Sequence, residues 1–116
     1  MSMIVNPDEV LESYLEYSVT PLFGRWVNKD THCLCALSVL VLARLGGDWS
    51  LLSESLAAAD EQAMEVLCLD SDFVTGFVKG YDGYGPPVGE PFITGYENGK
   101  LIRNAIIQRL DGWIEE

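Results

Sequence analysis

Positive charge is what this sequence has least of. Seven Lys and Arg stand against eighteen Asp and Glu in 116 residues, a formal net charge of −11. A field of that sign repels phosphate and anionic lipid, so neither nucleic acid nor a membrane surface is an expected partner, and a basic protein is. There is one histidine, His32, too little for a multi-histidine metal centre. Three cysteines, Cys33, Cys35 and Cys68, are too few and too oddly numbered for a disulfide framework and fit reduced thiols. No basic stretch followed by an apolar one opens the chain, so no secretory signal is expected and the cytoplasm is the expected location. The phosphate-binding, dinucleotide-binding and G-x-S-x-G patterns are absent.

What the sequence does have is a central apolar stretch, Thr31 to Gly47. From Cys33 to Leu45 only Ser38 and Arg44 are polar. A helix apolar on every side lies inside a core or a bilayer, and this run falls short of the roughly 17 residues a bilayer crossing needs. Asp30 or Thr31 can cap its start, and Gly46-Gly47 can supply the left-handed turn at its end. The expected fold is therefore all-α: one compact domain over residues 1–116, a bundle of five or six helices around a central helix at about 31–45.

Asn6-Pro7-Asp8-Glu9 reads as a helix start, with Asn as cap, Pro in the first turn and carboxylates at the positive end of the dipole. The helix it opens, ending near Ser18, carries Val10, Leu11, Tyr14 and Leu15 as its apolar stripe. Residues 19–30 form a connector that tucks Leu22, Phe23 and Trp26 against the core. Asp48 caps a short helix, and 49–68 is either one bent helix or two. Another helix begins near Ser71 and presents Phe73, Val74, Phe77 and Val78. The last, about Pro91 to Trp113, places Phe92, Tyr96, Gly99, Arg103, Ile106, Leu110 and Trp113 on one seam. Two of these helices share an echo: Gly76-Phe77-x-x-Gly80 and Gly95-Tyr96-x-x-Gly99. A helical glycine costs up to about 1 kcal/mol against alanine. Pairs four apart on one face point to a close crossing of these two helices within the molecule.

Three clusters bear on chemistry. His32-Cys33-x-Cys35 offers a thiol in what reads as a first helical turn, but adjacent helical residues diverge by about 100°, so His32 is poorly placed as a base for Cys33. Nor does the cluster have zinc-ligand spacing, and no metal or cofactor is expected. Asp60 to Gly80 resembles a helix-turn-helix, with Cys68 where the turn glycine often sits. The second helix of that pattern shows Ser71, Asp72, Thr75 and Lys79 among carboxylates, which argues against DNA. The Gly- and Pro-rich loop from Tyr81 to Pro91 is the third. Tyr81, Asp82, Tyr84 and Val88 are its candidate partner-binding residues, on a connector stiffened by Pro86-Pro87.

These features point to a small acidic, non-catalytic protein-interaction module of the adaptor, inhibitor or immunity type, with a basic protein as partner. A thiol-dependent enzyme using Cys33 and a helix-turn-helix regulator are the competing classes. Surplus apolar residues, Trp113 among them, predict a homodimer through the C-terminal helix near Trp113.

Overall fold

The structure is a computed structural model that describes residues 5–23, 26–53, 56–85 and 89–110. Five α-helices account for most of it: α1 (Pro7–Glu16), α2 (Ala36–Arg44), α3 (Leu56–Leu67), α4 (Ser71–Asp82) and α5 (Glu90–Arg109). The fold is not purely helical. A three-stranded sheet of two-residue strands, β1 (Thr20–Pro21), β2 (Val27–Asn28) and β3 (Cys33–Leu34), sits against the start of α2. Its order is β1-β3-β2, with β1 parallel and β2 antiparallel to β3.

This sheet corrects the expected start of the central helix. The amide of Thr20 donates to the carbonyl of His32, Leu22 to Leu34, and Cys35 to Trp26, which holds 33–35 extended. The helix begins only at Ala36, with Cys35 as its N-cap in extended conformation. Asp30 and Thr31 belong to the turn between β2 and β3 and cap nothing. The burial expected from Cys33 to Leu45 is observed as far as Leu42, after which Ala43 and Leu45 are half-buried and Arg44 is exposed. Every residue from Cys33 to Leu42 is buried, and α1, α3 and β3 pack around α2.

The predicted α1 start is present: the Asn6 side chain accepts from the Asp8 amide at 2.9 Å, with Pro7 in the first turn. The stripe differs by one residue. Leu15 is half-exposed, and Ser13 is buried in its place, its hydroxyl donating to the Glu9 carbonyl at 2.8 Å. Segment 49–68 resolves into two pieces, a 3-10 turn at Trp49–Leu51 and α3, with Asp60 and Glu61 inside the helix. Gln62 spans the break, accepting from the Ser53 amide and donating to the Leu51 carbonyl.

Four helices end alike. Val19 donates to Tyr14, Gly47 to Leu42, Leu69 to Met64 and Tyr84 to Lys79. Each reaches back across a left-handed residue: Ser18, Gly46, Cys68 and Gly83 respectively. This is the hydrogen-bond pattern that satisfies the last carbonyls of a helix.

The closest pairing in the molecule is α4 with α5. A Cβ added at Gly76 would strike the carbonyl of Phe92; at Gly80, that of Tyr96; at Gly95, that of Phe73; at Gly99, that of Phe77. The four glycines thus let two backbones touch, as the repeated spacing predicts. Because Gly76 meets Phe92 and Gly80 meets Tyr96, one turn further on, the helices run parallel. The buried line of α5 runs through Gly95, Asn98, Gly99, Ile102, Ile106 and Leu110. The predicted seam is rotated: Phe92, Tyr96 and Arg103 flank the contact, and Trp113 lies outside the described residues. Among the described residues no helix is long and apolar enough to cross a membrane.

Candidate functional site

The four candidate loop residues part company. Tyr81 is buried in the last turn of α4 and cannot offer its side chain to a partner. The Tyr14 hydroxyl donates to the Leu34 carbonyl at 2.8 Å, so its contact of 3.2 Å with the Tyr81 hydroxyl uses the Tyr81 proton. Burial first, and each other's proximity or that of Cys35 next, raise both phenols well above the usual tyrosine value. The Tyr81 ring stacks on Phe23 at 4.7 Å, and the Arg103 guanidinium lies over Phe23 at 4.8 Å while donating to the Tyr81 carbonyl at 2.9 Å. These contacts fix the exit of α4. Asp82 ends the helix half-buried, Gly83 turns the chain at φ 85°, and Tyr84 emerges 64% exposed. Val88 lies outside the described residues.

The thiol cluster is not arranged for catalysis. Cys33 and Cys35 stand on a strand and a helix cap rather than in a helical turn, and both are buried. Burial pushes the Cys35 thiol up to about 11, only partly offset by its contact with the Ser38 hydroxyl at 3.4 Å. A thiol that stays protonated is a poor nucleophile. The Cys33 thiol points to the Thr31 carbonyl at 3.5 Å. His32, exposed and held at φ 55°, lays its ring against Trp49 at 4.7 Å. Among the described residues no group of three or more His, Cys, Asp or Glu is placed to hold a metal ion.

The α3–α4 unit does have the outline of a helix-turn-helix, with Cys68 left-handed at φ 55° in the turn. Its second helix is occupied: Gly76 and Gly80 sit on the α5 backbone, so that face cannot enter a DNA groove.

What the surface presents most of is carboxylate. Glu9, Glu12 and Glu16 line one exposed side of α1, and Glu61 and Glu65 are exposed on α3. Two ion pairs join described residues, Glu9 with Arg44 at 3.2 Å and Asp8 with Arg109 at 3.6 Å, both in solvent. At the N-terminal end of the α1 stripe lies an open depression of about 60 Å³ lined by Val5, Asn6, Glu9, Leu40, Arg44 and Leu69. That is far below the roughly 300 Å³ at which small-molecule sites begin, and suits at most one side chain of a partner.

Sequence reasoning missed two features. The Asn98 side chain accepts from the Val5 amide at 2.7 Å and donates to the Val5 carbonyl at 3.1 Å, pinning the start of the chain to α5. An amide side chain set between Gly95 and Gly99 was the available signal. The second is the outer face of α5, where Ile93, Leu101 and Ile107 are exposed. No known family model, curated protein or solved structure matches the chain.

Proposed function

We propose that this chain is a cytoplasmic protein-interaction module, an adaptor, inhibitor or immunity-like protein, that presents carboxylates to a basic partner and performs no catalysis. The observation that carries this reading is the stripe Glu9, Glu12 and Glu16 on α1, three exposed acids of which, among the described residues, Glu9 pairs with the Arg44 guanidinium. Opposite charge of that density steers encounter and sets specificity more than it adds affinity. Asp82 and Tyr84, where the chain leaves α4, form a second contact point, with an exposed aromatic beside a carboxylate.

Replacing Glu12 and Glu16 together by Lys tests the reading. Capture from native cell extract on the immobilised chain supplies the partner, and the double variant is expected to lose it or to bind at least tenfold more weakly. Equal capture by both proteins overturns the proposal. Duplex DNA at physiological salt is expected to show no binding, and a complex whose affinity falls steeply with salt would favour the helix-turn-helix reading instead. Self-association through the C-terminal helix belongs to the same proposal, and the exposed apolar residues of α5 support it.

A further inference from the structure

The outer face of α5, the longest helix among the described residues, carries little net charge, Glu97 standing against Lys100. α1 carries four carboxylates and no cation, and α3 three carboxylates and no cation. α5 carries Glu90 and Glu97 against Lys100, Arg103 and Arg109, so it alone of these three is net positive, by one. Its exposed positions include Ile93, Glu97, Lys100, Leu101, Asn104 and Ile107. Ile93, Glu97, Lys100, Asn104 and Ile107 are spaced alternately by four and three, the seam along which two helices pair. Ile93, Leu101 and Ile107 are 39%, 54% and 40% exposed, half of the exposed large hydrophobic residues among those described.

We infer that this face is where two copies of the chain meet, as an antiparallel α5–α5 pair about a two-fold axis. The inference rests on the self-association part of the proposed function and names its surface. Two copies of net charge −11 repel over most of their area, and the neutral face is where approach adds least like charge. An antiparallel register centred between the levels of residues 98 and 99 sets Glu97 of each copy opposite Lys100 of the other. The same register sets Ile93 over Asn104, with Leu101 flanking the centre. The charge pairs are thus self-complementary in the way a two-fold contact requires. The face spans about 21 Å of helix, less than a standard interface, so the dimer is a weak and reversible one.

Sedimentation equilibrium of the full chain from tens to hundreds of micromolar tests the inference, with circular dichroism confirming that each variant keeps its helix content. The weight-average mass is expected to climb from one chain towards two. Leu101→Glu is expected to hold it at one chain throughout. Glu97→Lys or Lys100→Glu alone is expected to weaken association several-fold, and the two together to restore it. A single-chain mass at every concentration overturns both the inference and the self-association proposal. If Trp113→Glu dissociates the dimer while Leu101→Glu does not, self-association through the C-terminal helix stands and the α5 face is refuted.

Discussion

Helix α2 and the α4–α5 pair are both buried, one by bulk and the other by lack of it. α2 fills its surroundings with Leu37, Val39, Leu40, Val41 and Leu42, and any helix or strand of suitable shape can pack on such a surface. The α4–α5 contact has almost no side chain at its centre. Glycines at 76, 80, 95 and 99 place backbone on backbone, close enough for Cα–H groups to face carbonyl oxygens. The first arrangement tolerates repacking, because neighbouring side chains can shift. The second cannot yield without moving a whole helix. Low helix propensity at four positions is offset here by geometry that no larger residue permits.

The two regions should therefore break differently. The largest effect is expected in α2 from a charge rather than from a change of size. Leu37→Asp should leave no folded protein, since an unpaired buried carboxylate costs several kcal/mol, a large share of a typical domain's stability. Retained native circular dichroism would contradict it. Next comes Gly99→Ala, for which urea unfolding should show a loss of about 3 kcal/mol, comparable with truncating a core leucine such as Leu40→Ala. Gly85→Ala, which meets no atom within 4 Å, is the control and should change stability by less than about 0.5 kcal/mol. Equal effects at 85 and 99 would show that the backbone contact does not hold the pair together.

A smaller effect separates the polar atoms under the two regions. Tyr14, on α1, and Tyr81, on α4, have phenols raised by burial, and Cys35, at the head of α2, is raised to about 11. Each group holds its proton more tightly folded than unfolded. Their contribution to stability is complete below the unfolded pKa values near 8.5 and 10 and is lost as pH rises above them. Unfolding midpoints should be flat in this respect up to about pH 8 and then fall. Tyr14→Phe should cost about 1 kcal/mol at neutral pH and make the alkaline fall shallower. The smallest effect is kinetic. With a thiol-specific reagent at neutral pH, exposed Cys68 should react at once, and Cys33 and Cys35 only as the chain opens. Fast labelling of Cys33 would revive the thiol-enzyme alternative.

The same contrast explains what could be read from sequence. The burial of 33–42 and the glycine crossing were legible because each rests on local composition at helical spacing. The sheet was not. Its strands are two residues long, too short to show alternation, and the paired segments Thr20–Pro21 and Cys33–Leu34 are brought together only by tertiary structure. Cys33 to Cys35 therefore read as part of the helix they precede. Tyr81 read as a loop residue because the chain breaks just after it. Its burial depends on Tyr14 and Phe23, far away in sequence. The outer face of α5 went unnoticed because its isoleucines and leucine are diluted by Glu97, Lys100 and Asn104, and the apolar line was drawn one residue away, about 100° round the helix.

The Asn98 clamp on Val5 sets an order of events. It joins positions 93 apart, the longest loop closure among the side-chain hydrogen bonds of the described residues. Closing so long a loop is entropically unfavourable until other contacts have already shortened the path between its ends. α4 and α5, joined by a seven-residue connection, can dock early, whereas the clamp has to wait until α5 is seated and the start of the chain has come round. The amide of Val5 is thus a clock for completion. In pulsed hydrogen exchange during refolding its protection should arrive last. At equilibrium it should be lost through local opening at Val5 well before the amides of α2 open.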